Sequence, residues 1–175
     1  MWLYARNTML HLNRLAAAVL AVVTIAANVV AYAQPKAQSK APAPKAAAPA
    51  KTAITVYKTV TCGCCGNWVQ YMNNQGYACT VTNLADLNDV KVKYAVPANL
   101  QSCHTSLVGG YVIEGHVPAE DVKRLLREKP AIVGLAAPGM PAGSPGMDVP
   151  NSPGYDVIAF EKDGRQRVYA RHPAK

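Results

Sequence analysis

Residues 54–75 have the sequence ITVYKTVTCGCCGNWVQYMNNQ, and this stretch decides the fold. Its first six residues alternate and are rich in β-branched and aromatic side chains, which predicts a strand over 54–59. Residues 66–75 carry apolar side chains at helical spacing and predict a helix, which Gly76 ends. Three cysteines lie between the strand and the helix: Cys62, Cys64 and Cys65.

The remainder of the chain continues the alternation of strands and helices. The patterns predict strands over 77–84, 106–114, 155–160 and 166–170, and helices over 86–96 and 118–128. The last two strands form a hairpin across Lys162-Asp163-Gly164. The order β-α-β-α-β-α-β-β, with thiols where the first strand turns into the first helix, predicts an α/β fold of the thioredoxin-like type. We expect a mixed sheet with flanking helices and a C-terminal β-hairpin.

The chain begins with features of an export signal. Residues 1–14 contain Arg6 and Arg14 but no acid, an apolar run follows, and Ala31-Tyr32-Ala33 has the small-x-small pattern of a cleavage site. We expect residues 1–33 to be a signal peptide cleaved after Ala33. Export then implies a periplasmic protein with no stable membrane anchor.

Residues 34–52 consist mostly of Ala, Pro and Lys and have almost nothing to bury, which predicts a disordered linker. The folded domain is expected over 53–175. The whole chain has a formal net charge of +8, of which two arginines of the signal peptide and four lysines of the linker account for six. The domain is therefore close to neutral, and we expect no nucleic-acid partner.

Five cysteines in an exported chain would ordinarily suggest disulfides. The number is odd, however, and three of them crowd into Cys62-Gly63-Cys64-Cys65. Cys62 and Cys65 have the C-x-x-C spacing of a thiol oxidoreductase, but a third thiol beside them would misdirect disulfide exchange. Unpaired N–H groups at a helix N-terminus favour thiolates, and thiolates bind soft metals. We therefore favour a metal site.

A second group of candidate ligands stands ahead of the third predicted strand. In thioredoxin-like folds the segment that enters this strand lies against the active-site loop and usually presents a cis-proline. Here Cys103-His104-Thr105 occupies that position, so we expect Cys103 and His104 to face the first three cysteines. His116, which lies between a glycine and a predicted helix, is a further candidate. We expect His172, near the C-terminus, to be solvated.

Four segments together resemble a known family: 62–68, Cys103-His104, 115–118 and 139–147. Their sequences, CGCCGNW, CH, GHVP and GMPAGSPGM, are similar to those of the CopG-like family of predicted metal-binding proteins, which are encoded with bacterial copper-resistance genes. The resemblance implies a thioredoxin-like fold, a periplasmic location and copper as the metal. It also implies four ligands: Cys62, Cys64, Cys65 and Cys103. Cys79 is outside this pattern and is expected to act as a buried small hydrophobic residue in a strand.

Met140 and Met147 lie in a loop of Gly, Pro and Ser that can form neither helix nor strand. Exposed methionines are vulnerable to oxidation, so thioether ligation is an economical explanation for them. The alternative is that they fill a hydrophobic gap. Thioether and thiolate ligands together indicate Cu(I).

The leading interpretation is a copper-binding protein that sequesters Cu(I), passes it on or handles its redox state in copper resistance. More than one ion is expected, since thiolate sulfur bridges soft ions. Other periplasmic copper-resistance proteins are candidate partners. We expect a binding protein rather than an enzyme, with copper or thiol redox activity left open. Three alternatives remain: a thiol–disulfide oxidoreductase using Cys62 and Cys65, an iron–sulfur electron carrier, and a Cys/His zinc site.

Overall fold

The computed structural model describes residues 50–174. These residues form seven strands, whose bounds are β1 Thr52–Thr59, β2 Tyr77–Leu84, β3 His104–Val108, β4 Tyr111–Gly115, β5 Gly134–Ala137, β6 Tyr155–Phe160 and β7 Gln166–His172. The helices are α1 Gly63–Asn74, α2 Asn88–Lys93 and α3 Ala119–Glu128, with a 3₁₀ turn at Ala98–Leu100. The predicted signal peptide and most of the predicted linker lie outside the described residues.

All seven strands form one mixed sheet in the order β2-β1-β3-β4-β5-β6-β7. The β1–β2 and β4–β5 pairs are parallel, and the other four pairs are antiparallel. The predicted α/β fold with a mixed sheet and a C-terminal hairpin, β6–β7, is confirmed. The more specific thioredoxin-like assignment stays a prediction.

Apolar residues cover both faces of the sheet. On one face α1 and α3 contribute Trp68, Met72, Val122 and Leu125, which belong to a buried cluster that includes Ile113 of β4. On the other face a smaller cluster includes the neighbouring Val112, Val96, Leu100, Ala136 and Phe160. Successive residues of a strand point to opposite faces, so one strand serves both clusters. Within the described residues, no helix combines the length and apolar character needed to cross a membrane.

The prediction of one strand over 106–114 is wrong. The chain forms two antiparallel strands there, β3 and β4, joined at Gly109 and Gly110 with φ angles of +56° and +86°. Two residues with positive φ make the tight hairpin turn that Gly-Gly signals. The prediction also missed β5, a four-residue strand, and extended the second helix beyond the observed α2.

Candidate metal centre

The N-terminus of α1 carries the three clustered cysteines. The helix begins at Gly63, three residues earlier than predicted, with Cys62 in the N-cap position and Cys64 and Cys65 in the first turn. The N–H of Cys62 donates to the carbonyl oxygen of Thr59 at 3.2 Å, which turns the chain from β1 into α1. Cys65 is fully buried, whereas Cys62 and Cys64 are partly exposed.

Cys62 and Cys65 form a disulfide in this structure. The Sγ atom of Cys64 lies 3.6 Å from that of Cys62 and remains a free thiol, as do Cys79 and Cys103. The cluster is therefore in an oxidised state. Two further sulfurs become available as thiolates when the disulfide is reduced.

Cys103 brings a fourth sulfur to the cluster from the residue before β3. Its carbonyl oxygen lies 3.6 Å from Cys65 Sγ, because β3 pairs with β1 and so enters the sheet beside the start of α1. The four sulfurs of Cys62, Cys64, Cys65 and Cys103 all lie within 4.8 Å of one another. The structure thus brings the four predicted cysteine ligands together.

Two histidines extend the cluster inward. His104 Nδ1 lies 3.4 Å from Cys103 Sγ, and His116 Nε2 lies 3.0 Å from the same sulfur. Their rings contact each other edge to face with centroids 5.1 Å apart, and the His104 ring also packs 4.6 Å from Trp68. One candidate ligand atom from each of Cys103, His104 and His116 lies within 4.8 Å of the other two, so these residues form a second ligand group.

Both imidazoles are neutral at neutral pH. Burial lowers the pKa of His104 well below its usual value, and the nearby His116, Lys91 and Lys58 lower it further. Burial also lowers the pKa of His116, partly offset by its contact with the Pro145 carbonyl. A neutral imidazole has a free lone pair and is the form that binds metals.

The Cys103 thiol is harder to ionise than a cysteine thiol at a helix N-terminus. Burial, with a smaller contribution from the nearby Cys64, raises the pKa of the Cys103 thiol to about 12. Desolvation therefore outweighs the hydrogen bond from the Ser102 hydroxyl, which lowers this pKa. Cys103 is a protonated thiol without a metal, and a metal must displace its proton to bind.

The backbone of the methionine loop, residues 140–147, lies against this cluster. The Pro145 carbonyl oxygen is 2.8 Å from His116 Nδ1, and the Gly146 backbone packs directly on α1 at Cys64 and Trp68. Met140 has an exposed side chain and a φ of +54°. Ligation by Met140 and Met147 stays a prediction.

Two other sequence expectations have clear outcomes. Cys79 lies in β2 and packs against the main apolar cluster as expected, but it is half-buried rather than buried. The prediction that His172 is solvated is wrong. Its Nε2 lies 2.7 Å from Asp121 Oδ2, and its ring stacks on Tyr155, because β7 extends two residues further than predicted.

A buried polar network lies beside Cys103 and His104 and was not predicted from the sequence. Glu114, fully buried on β4, pairs with Lys91 of α2 and accepts a hydrogen bond from the Thr105 hydroxyl at 2.6 Å. The available signal was the sequence YVIEG, in which one acidic residue interrupts an apolar strand. Carboxylates are almost never fully buried unless they are paired.

One family model and two solved structures match the chain. Residues 100–147 match a family model described as "Protein of unknown function, DUF411". Two solved structures, titled "Copper resistance protein copG", Form 1 and Form 2, are each 40% identical to the chain with a TM-score of 0.67. Each match covers 70% of this chain, and 98% and 99% of the respective solved chains. No curated protein sequence matches.

Proposed function

Because the chain belongs to the CopG family of copper resistance proteins, we propose that it is a periplasmic protein that binds Cu(I) on its cysteine cluster. Its role is to sequester copper, to transfer it or to handle its redox state. One observation carries the proposal: four cysteine sulfurs lie within 4.8 Å of one another. Copper is the cargo of this site.

The donor set fits a soft ion. Reduction of the Cys62–Cys65 disulfide gives four sulfur ligands, and His104 and His116 add two neutral imidazoles next to Cys103. Thiolate and thioether ligands suit soft ions such as Cu(I), thiolates also bind zinc and iron–sulfur clusters, and imidazole suits several metals. Met140 and Met147 would supply thioethers from the loop packed on α1. Four thiolates support more than one copper ion.

Export remains part of the proposal. The signal pattern of residues 1–33, with cleavage after Ala33, supports a periplasmic location, and the expected partners are other copper-resistance proteins of that compartment. The mature protein should begin at Gln34. Mass spectrometry of the periplasmic fraction measures this N-terminus, and intact residues 1–33 on membrane-bound protein would contradict it.

The disulfide favours a second candidate function, thiol–disulfide exchange. Cys62 and Cys65 are joined at the N-terminus of α1, where the helix dipole stabilises a leaving thiolate. Such an exchange needs these two residues only. Cys64 and Cys103 should then be dispensable.

Five single variants separate the two functions. They replace each cysteine by serine: Cys62→Ser, Cys64→Ser, Cys65→Ser, Cys79→Ser and Cys103→Ser. For copper binding we expect a lower Cu(I) stoichiometry or affinity in all of them except Cys79→Ser, which is the matched control because it lies outside the cluster. Insulin-reductase activity should be negligible throughout.

Full copper binding in Cys64→Ser and Cys103→Ser, with reductase activity lost only in Cys62→Ser and Cys65→Ser, would instead establish exchange chemistry. A competition between Cu(I) and Zn(II) for the reduced protein tests the metal. Displacement of copper by zinc at equal concentration would contradict the copper assignment. Iron and labile sulfide in the isolated protein would indicate an electron carrier.

A further inference from the structure

One buried carboxylate fastens the segment that carries Cys103 and His104 on both sides. Glu114 Oε1 accepts a hydrogen bond from the backbone N–H of Ser102 at 2.7 Å, and Glu114 Oε2 accepts one from the Thr105 hydroxyl at 2.6 Å. Ser102 directly precedes Cys103, and Thr105 directly follows His104. The two candidate ligands therefore lie between the two residues that this carboxylate holds.

Lys91 supplies the opposite charge. Its Nζ atom pairs with Glu114 Oε1 and also donates to Thr105 Oγ1 at 3.2 Å. Glu114 is fully buried and Lys91 is 6% exposed, so both charges have left water. Taking two charges out of water costs about as much free energy as their attraction returns, and apolar residues of similar size often stabilise a fold equally well. Stability alone therefore does not explain this pair.

The position of the pair suggests what it does. Glu114 lies opposite Thr105 in the β3–β4 register, two residues before His116, and the His116 Nε2 atom contacts Cys103 Sγ. The carboxylate thereby links both segments that converge on this sulfur. A positioned carboxylate imposes a fixed hydrogen-bond geometry that an apolar contact cannot impose.

We propose that Lys91 and Glu114 are positioning residues, which fix the backbone of Ser102–Thr105 so that Cys103 and His104 present their ligand atoms toward the cysteines of α1. This inference rests on the proposed copper site. Lys91 and Glu114 make no hydrogen bond to a predicted ligand side chain, and their hydrogen bonds reach the segment through the Ser102 backbone and the Thr105 hydroxyl. Residues that orient metal ligands affect metal affinity although they do not contact the ion.

The test compares three variants: Glu114→Gln, Lys91→Met and the double variant that combines them. The single variants leave one buried charge without its partner, whereas the double variant removes both charges. Leu125→Ala is the matched control, because this fully buried residue of α3 belongs to the main apolar cluster and its truncation lowers stability at a distance from the polar network. Thermal unfolding compares the stability of these four variants with that of the wild-type protein.

Two readouts are measured on folded protein. The first is the affinity of the reduced protein for Cu(I), from competition with a chelator. The second is the alkylation rate of Cys103 in the metal-free, disulfide-bonded protein, measured by mass spectrometry with Cys79 in the same molecule as the reference. Cys79 lies on β2, away from the network.

We expect the double variant to regain stability relative to Glu114→Gln while its Cu(I) affinity stays roughly tenfold or more below wild type. Cys103 should be alkylated several-fold faster in the double variant, with Cys79 unchanged. Leu125→Ala should lose stability but keep the wild-type Cu(I) affinity and Cys103 alkylation rate.

Wild-type affinity together with a wild-type Cys103 alkylation rate in the double variant would overturn the proposal, since the pair would then contribute stability only. If Glu114→Gln does not fold, the double variant decides. If the wild-type protein binds no Cu(I), the proposed function fails, and the alkylation readout still decides the positioning role. Faster alkylation of Cys103 would support that role, and an unchanged rate would refute it.

Discussion

The Nε2 atom of His116 lies 3.0 Å from the Sγ atom of Cys103. The other ring nitrogen, Nδ1, lies 2.8 Å from the Pro145 carbonyl oxygen. A carbonyl only accepts hydrogen bonds, so in the neutral ring the proton is on Nδ1 and the lone pair of Nε2 faces the sulfur. His116 is therefore set in the tautomer that a metal ligand requires, and one imidazole joins the methionine loop to Cys103.

This relationship predicts the effect of His116→Ala. The substitution removes a candidate ligand and the hydrogen bond to the methionine loop, so Cu(I) affinity should fall by roughly 10- to 100-fold. His172→Ala is the control, because His172 pairs with Asp121 outside the two ligand groups. Chelator competition on reduced protein measures both. Equal affinity in His116→Ala and His172→Ala would remove His116 from the site.

The disulfide predicts a copper capacity that depends on the redox state. The oxidised protein keeps three free thiols, of which Cys64 and Cys103 belong to the cluster, and after full reduction all five cysteines are thiols. Thiol titration under denaturing conditions should give three and five thiols before and after reduction. The Cu(I) stoichiometry should rise in parallel, since a disulfide sulfur is a poor ligand compared with a thiolate. Equal stoichiometry in both states would mean that Cys62 and Cys65 do not ligate.

The buried His104 predicts a pH dependence of stability. Its pKa in the folded protein is well below the ordinary value of 6.5. As the pH falls below about 6.5, His104 takes up a proton in the unfolded chain but not in the folded chain. The free energy of unfolding therefore falls as the pH falls. The effect of one such histidine is at most about 1.4 kcal/mol per pH unit.

The comparison of wild type with His104→Gln isolates this contribution. Burial raises the pKa of Glu114, and this contributes the opposite slope, but Glu114 is present in both proteins. Urea unfolding of the metal-free protein between about pH 5 and about pH 7.5 should show a smaller loss of stability toward acid in His104→Gln. Parallel pH profiles would show that His104 is protonated in the folded state.

The sequence predicted which candidate ligands come together better than it predicted the polar contacts around them. Cysteine spacing and the position of Cys103 before a strand were enough to bring four sulfurs together, because a strand–helix junction and a neighbouring strand meet at one edge of the sheet. The strand pattern was less reliable at 106–114, where Gly109 and Gly110 turn the chain between two strands.

Long-range polar pairing could not be predicted in the same way. The partner of Glu114 is Lys91, which lies 23 residues earlier on a short helix, and the partner of His172 is Asp121, 51 residues away. No local pattern connects such residues, since their pairing depends on how the elements pack. The Cys62–Cys65 disulfide is a different case, because the C-x-x-C spacing allows it but its formation also depends on the redox state.

The packing of Gly146 on α1 predicts the importance of the methionine loop. A Cβ atom at Gly146 would lie 2.7 Å from the Trp68 backbone nitrogen and 3.0 Å from the Cys64 carbonyl oxygen, so Gly146→Ala must push the loop off the helix. Gly139→Ala is the control, because Gly139 also has a positive φ but has open space around its Cβ position. Both variants should lose roughly 1–2 kcal/mol of stability from the left-handed backbone, and overpacking should cost Gly146→Ala about 1–3 kcal/mol more.

If the loop supplies thioether ligands, Gly146→Ala alone should bind Cu(I) more weakly in chelator competition. Wild-type affinity in folded Gly146→Ala would show that Met140 and Met147 are not ligands and that the thiolate and imidazole groups hold the copper without them.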